Sequence, residues 1–318
     1  MLRFLLRRLV SSVVVLWVIV TASFFVMKAA PGGPFDQDRK LAPEVRASIE
    51  AKYHLDQPLW RQYGLQMESL LLHGDFGPSM KYQDRTVNEI LADGLPVSAL
   101  LGLEGMLLAL LLGVPAGLIA GLKQGRWQDR TTMVAALVGV SVPSFVAGPL
   151  LIWLFGVHWQ VFDAAGWVGP DQGLRAHLRS SLLPALTLGL YYAAYIARLT
   201  RSGMLEVVRQ DFIRTARAKG LSETAVVLRH ALRGALGPVV SFLGPAFAGV
   251  MTGSVVVEKI FNIPGLGTHF VNSAFNRDYP LVLGTIVLYS ALLVVLNVVV
   301  DLLYGVLDPR VVVGDVHD

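Results

Sequence analysis

The chain of 318 residues has no cysteine, only seven histidines and few charges, with 16% of its residues Asp, Glu, Lys or Arg. The missing cysteine excludes disulfides, thiolate metal sites and cysteine nucleophiles, and it leaves the compartment open. A soluble globular chain carries roughly 25% charged residues, so the shortage of charge argues against a soluble enzyme. The 27 bases and 23 acids leave a net charge of +4. That is too little to imply a nucleic-acid partner, and no basic run interleaved with aromatics is present. No Gly-Lys dipeptide occurs anywhere in the sequence. A P-loop needs that lysine behind its glycines to meet nucleotide phosphates, so the usual ATP site is excluded from this chain. An HExxH helix and a GxSxG elbow are also absent. Zinc proteolysis and hydrolase-type nucleophilic catalysis therefore lack their minimum parts. No catalytic constellation and no resident cofactor are expected.

Apolar residues fill the space that charges leave: 54% of the chain is hydrophobic and the mean hydropathy is +0.56. A helix needs about 20 mostly apolar residues to cross ~30 Å of hydrocarbon. Six stretches meet this, at 9–29, 96–121, 133–156, 181–197, 235–257 and 281–307. The fourth is the shortest. Backbone groups in hydrocarbon must satisfy one another, so each is expected as a helix. The first has a basic start (Arg3, Arg7, Arg8) and small residues at its end (Ala29, Ala30), as a secretory signal does. An apolar signal core is roughly 7–15 residues; this one is longer, so an uncleaved helix is expected.

Lys/Arg asymmetry sets the orientation. With the N-terminus inside, fifteen bases fall in cytoplasmic segments, eight of them in 198–235. The two short outer loops hold only Arg175, Arg179, Lys259 and Arg277. The expected fold class is an all-α membrane protein of six spans with both termini cytoplasmic. Its parts are a tail and first span (1–29), an outer segment (30–95), a core of five spans (96–307) containing the loop 198–235, and a cytoplasmic tail (308–318). The outer segment opens on the turn signal Pro-Gly-Gly-Pro and carries a short helix near 44–52. At ~65 residues it reads as a cap on the bundle rather than an independent domain.

The loop 198–235 contains DFIRTARAKGLSETAVVLRHALRGA, and LGP follows it. Its helix starts on the acid Asp211 and ends on bases, as the helix dipole favours. Gly220 suits a left-handed cap, and Ser222 can cap a second helix that has Glu223 in its first turn. A solvated, positive-inside loop accounts for the charge. A docking surface accounts as well for the small residues Ala216 and Ala218 beside Phe212, Ile213 and Leu221. The residues alone leave both readings open.

RTARAKGLS followed by RHALRGALGP resembles the cytoplasmic signature loop of bacterial ABC importer permeases of the dipeptide/oligopeptide/nickel group. GDFGPSMKYQDRTVNEI, VSVPSFVAGPLLI, MTGSVVVEKIFNIPGLGTHFVNSAFNRDYPLVLG and DLLYGVLDPR are similar to the same group, so the resemblance covers nearly the whole chain. The general loop pattern of this importer class is EAA, three residues, Gly, nine residues, Ile-x-Leu-Pro. Set on Gly220, it is met at Ala216, Gly220 and Leu232, while Arg214, Thr215, His230 and Arg233 depart from it. The resemblance implies a type I importer permease bundle in a bacterial inner membrane, moving oligopeptides. It implies that Arg214, Thr215, Ala216, Arg217, Ala218, Lys219, Gly220 and Leu221 form a coupling helix seated on an ATPase. It also implies the partners: a second permease, two ATPase subunits holding ATP and magnesium, a periplasmic peptide-binding protein and membrane lipid. Nickel or another solute of the same group stays open as cargo.

Acids inside spans are functional candidates, because inserting one costs at least ~2.5–3.5 kcal/mol. Glu104 and Asp301 are candidates for the translocation path, against pairing with neighbouring helices. Glu258 is a candidate for an outer gate, against an interfacial pair with Lys259. Trp153, His158, Trp159 and Trp167 read as an interfacial aromatic belt. Pro143, Pro149 and Pro245 mark bends of function or of packing. A secondary transporter driven by an ion gradient is the alternative class. It calls for internal repeats or mid-membrane acids on interrupted helices, and no repeat is seen.

Overall fold

The computed structural model describes residues 2–30, 33–34 and 43–307. The expected tail 308–318 lies outside them. The described residues are mostly helical, and their one β pairing is an isolated antiparallel bridge between Pro78 and Thr86. The helices are α1 (Leu2–Ala29), α2 (Pro43–Lys52), α3 (Leu59–Glu68), α4 (Val87–Leu122), α5 (Trp127–Ser141), α6 (Ser144–Leu151), α7 (Leu174–Val207), α8 (Asp211–Ala218), α9 (Glu223–Ala225), α10 (Leu232–Ala235), α11 (Gly237–Ile260), α12 (Leu266–Asn276) and α13 (Tyr279–Leu307). Wider π-type turns continue α3 over Ser69–His73 and α6 over Ile152–His158, and link α9 to α10 over Val226–Ala231.

Four helices are long and apolar enough to cross a membrane, and up to six spans result when each bent pair is taken as one. The third expected span is not a continuous helix. It turns by 106° between Trp127–Ser141 and Ser144–His158. Pro143 causes the break: it has no N–H to give, and it holds Val142 extended at φ −84°, ψ 115°. Each arm has 15 residues and rises only about 22 Å. The fourth span is longer than the apolar stretch suggested. α7 runs 34 residues, Leu174–Val207, and its charged ends extend the helix past its apolar middle.

The chain divides into two compact units. The first comprises residues 1–96 and 268–294. Here the outer segment is fastened to the end of α1. The Tyr63 ring stacks on Phe25 and meets Phe24 edge-on, and its hydroxyl lies 2.7 Å from Thr21 Oγ1. Lys28 donates to Gln62 Oε1 at 2.6 Å. Asp278 is fully buried and accepts from the Ser79 hydroxyl and from the Met80 N–H at 3.1 Å.

The second unit comprises residues 97–267 and 295–318. α7 is its central helix, with Leu183, Ile196 and Met204 fully buried. Apolar lipid tails give helices no hydrophobic reason to associate, so close backbone packing must hold them. α4 supplies it through small residues at every fourth position: Gly105, Ala109, Gly113, Gly117 and Gly121. A methyl on Gly117 would stand 2.4 Å from the Ala197 carbonyl oxygen, and one on Gly113 would stand 2.7 Å from that of Ala193. Only hydrogen fits between α4 and α7 at these points. An ion pair adds to the packing of α5 on α7. Arg201 Nη2 donates to Asp129 Oδ2 at 2.9 Å, and that oxygen also accepts the Gly125 N–H at 2.9 Å.

Candidate functional site

The loop after α7 forms a helix–break–helix. α8 begins with Asp211 in its first turn and carries Arg217 in its last. It closes on Gly220, whose φ of +77° is strained for any residue with a side chain. The Gly220 N–H reaches the Arg217 carbonyl at 2.9 Å, and the Leu221 N–H reaches that of Ala216 at 3.4 Å. Together they satisfy the helix end in a Schellman arrangement. Ser222 then caps α9, its Oγ accepting from the Ala225 N–H at 3.4 Å. Across the break, Arg217 Nε and Nη2 donate to the two oxygens of Glu223 at 3.1 and 2.7 Å.

This turn is fastened to the chain from below. Ile213 and Ala216 are buried with Met204, Val207, Val226, Ala231 and Ala235. The run expected to dock is therefore divided. Ala216 is small to fit its own chain, and it does not lie on the free face. Phe212 and Leu221 remain exposed at 45% and 42%, with Arg214, Thr215, Arg217, Ala218 and Lys219 around them. This exposed apolar pair has charged neighbours of both signs, Arg214 lying 3.2 Å from Asp211 and Arg217 lying 2.7 Å from Glu223, with Lys219 beside them.

The buried acids are placed as follows. Glu104 on α4 pairs with His177 on α7, Oε1 to Nε2 at 2.5 Å. His177 Nδ1 lies 2.7 Å from the Val168 carbonyl, which can only accept, so Nδ1 carries a proton. Glu104 Oε2 is buried and has no hydrogen-bond partner among the described residues. Glu258 is fully buried. Its Oε1 accepts from Ser98 Oγ at 2.7 Å and its Oε2 from the Gly267 N–H at 2.8 Å. Ser98 Oγ in turn accepts the Leu266 N–H at 2.8 Å. The carboxylate thus holds the Phe261–Gly267 turn in place. Asp301 belongs to α13, but its side chain lies outside those described. Trp153 and Trp159 are exposed at 61% and 55%, and Trp153 stacks on His158. Trp167 leaves the expected belt: it packs into the core with its ring edge on His177.

A cavity of about 750 Å³ lies at the break between α5 and α6, closed by α7. Among the described residues, no backbone N–H reaches the carbonyls of Gly139 to Val142. Irregular backbone at membrane depth persists only where protein buries it or a wet cavity meets it. Ser141, Ser144, Thr187, Tyr191 and Tyr192 give this apolar cavity its polar groups.

Sequence reasoning missed His177, Ser98 and the Asp129–Arg201 pair, because each gains its role from a partner at least 70 positions away. The four-residue spacing of small residues in α4 was a readable signal.

Residues 113–313 match the family model described as binding-protein-dependent transport system inner membrane component. Residues 1–101 match the N-terminal model of the same transport-system membrane component. The chain is similar to the oligopeptide transport system permease protein OppB of Salmonella typhimurium, at 50% identity over 98% of this chain and 99% of the relative. The dipeptide transport system permease protein DppB of Bacillus subtilis is 43% identical over 98% of each chain. A solved structure of the MetNI methionine ABC transporter, in an inward-facing conformation, shares the fold at a TM-score of 0.57 and 16% identity, covering 70% of this chain and 97% of that one.

Proposed function

Because the chain belongs to the family of binding-protein-dependent transport system inner membrane components, and so is a permease of an ABC importer, we propose that its cargo is oligopeptide and that its free cytoplasmic turn couples transport to separate ATPase chains. The observation that carries the coupling is the turn itself: Phe212 and Leu221 exposed on a helix that Gly220 and the Arg217–Glu223 pair hold rigid. A purely solvated loop has no need of that rigidity. The absence of a Gly-Lys dipeptide supports placing ATP and magnesium on partner chains.

Both termini are then cytoplasmic, and the cap of the first unit faces a peptide-binding protein on the outer side. A second, related permease supplies the other half of the path. ATP binding draws the two ATPases together, and the turn moves with them. Such a switch works only because ATP binds the two states with different affinity. The cargo path runs by the cavity at the α5–α6 break. Its unclaimed carbonyls suit peptide N–H groups, which every peptide offers whatever its side chains. The unpartnered Oε2 of Glu104 supports a place on the same path, where a peptide amino terminus would meet it. The bonds of Glu258 support positioning of the outer turn rather than contact with cargo.

No observation favours an ion-gradient transporter. The test is reconstitution of the chain with the candidate permease, ATPase and binding protein in vesicles. Peptide uptake is expected to follow ATP hydrolysis and to stop without the binding protein. Uptake by this chain alone, driven by a gradient, would overturn the reading. Cross-linkers at Phe212 and Leu221 are expected to capture the ATPase; capture of lipid or solvent only would remove the coupling assignment.

A further inference from the structure

The first unit holds a cavity of about 370 Å³ between the end of α1, the turn after α2, α3, the segment 75–80 and the start of α13. One wall is basic and polar, with Lys28, Lys52, His54 and Gln62. The acid on its wall is Asp75, whose Oδ1 is already taken by the Gly77 N–H at 2.9 Å. Lys28 has three N–H groups. One goes to Gln62 Oε1, and the ammonium also stands 4.9 Å from the Tyr279 ring centre and 5.8 Å from that of Phe24. Among the described residues, neither Lys28 nor Lys52 has a carboxylate within ion-pair distance. An amide and two rings attract a cation without neutralising it. Among the described residues, the cavity therefore has an excess of positive charge, with two lysines against the one acid Asp75.

The surroundings indicate which anion. Lys28 stands in the last turn of an apolar helix that is long enough to span and exposes Val18, Phe25 and Val26. The cavity is thus at the level where hydrocarbon gives way to water. Beside it, α3 and the turn that continues it expose Leu59, Trp60, Leu71 and Leu72, with Trp60 at 72% and Leu71 at 73%. Exposed Trp and Leu next to a basic pocket are the marks of an element lying in a membrane interface. A soluble anion would not need that apolar flank.

We propose that this cavity binds the phosphate of an anionic phospholipid, with Lys28 and Lys52 as countercharges and the acyl chains along the exposed side of α1. The site is independent of the cargo assignment, because it uses residues of the first unit alone. A lysine close to an anionic membrane surface contributes about 1 kcal/mol of attraction to the headgroups.

The test uses the intact importer complex in nanodiscs, with phosphatidylglycerol as probe in a phosphatidylcholine background. Native mass spectrometry after detergent release counts the phosphatidylglycerol retained. The expected result is at least one retained lipid, with affinity falling about fivefold for each lysine removed, the factor that accompanies one cation near an anionic membrane surface. K52Q changes an exposed side chain and so keeps the fold; K28Q and K28R complete the series, with K28R retaining binding. Equal retention by wild type and K52Q/K28Q would overturn the proposal. So would displacement of the lipid by millimolar inorganic phosphate or by a peptide carboxylate, either of which would show that the acyl chains contribute nothing. If K28Q fails to assemble, K52Q alone decides: unchanged retention overturns the site and a fivefold loss supports it.

Discussion

Arg217 and Glu223 form a two-bonded ion pair across Gly220, tying the last turn of α8 to the first turn of α9. The pair is exposed and contributes little to global stability. Its effect is on direction, since it fixes the angle at which Phe212 and Leu221 leave the protein. Reversing one charge, R217E or E223R, is expected to lower ATP-driven uptake modestly, by about twofold. The double reversal is expected to restore it. Uptake rates at equal membrane levels of each variant check this.

Gly220 has a φ of +77°, which the proline ring cannot adopt. G220P forces φ toward −65° and is expected to strain the turn by roughly 3 kcal/mol or more. Uptake should fall to background while the amount of protein in the membrane is unchanged. G220N, which tolerates the left-handed region, should keep most of the activity. Immunoblots of membranes alongside transport assays separate the two effects.

The α4–α7 contact leaves no space for a methyl group at Gly117, whose Cβ would meet the Ala197 carbonyl oxygen at 2.4 Å. G117A is expected to destabilise the second unit by about 1–3 kcal/mol through overpacking. Gly64, on α3, has nothing within 4 Å of its added Cβ. G64A should stabilise slightly, by up to about 1 kcal/mol, because alanine favours helix over glycine. Thermal unfolding in detergent is expected to move in opposite directions for the two alanines.

His269 lies on α12 with its ring edge against Tyr82 and no hydrogen-bond partner for Nδ1 among the described residues. Burial pushes its imidazole below the usual histidine value; the Arg85 guanidinium adds to this and Asp93 opposes it. The folded protein thus keeps the ring neutral, while the unfolded chain takes up a proton near pH ~6.5. Between the folded value and ~6.5 the unfolded state binds more protons, so stability rises with pH. The contribution is complete above ~6.5 and is lost as pH falls through the lower, folded value. The unfolding temperature is expected to drop from pH 7.5 to 5.5, and H269F is expected to flatten that slope.

The sequence by itself determined the class of the protein. Scarce charge and long apolar stretches leave a helical membrane bundle as the fold whose backbone is satisfied in lipid, and the loop pattern around Gly220 identified its importer family. It also determined the helix–glycine–helix turn, because those signals act between residues a few positions apart. Three things were decided by the tertiary structure. The break at Pro143 became a 106° turn beside a cavity, since a proline's local effect is readable but the space around it depends on neighbouring helices. Ala216 turned inward, because which face of a short amphipathic helix is covered depends on what returns to meet it. Glu258 and Glu104 found Ser98 and His177, and the basic cavity at Lys28 was assembled from five separate segments. A buried charge declares in the sequence that it needs a partner; only folding brings distant positions close enough to supply one.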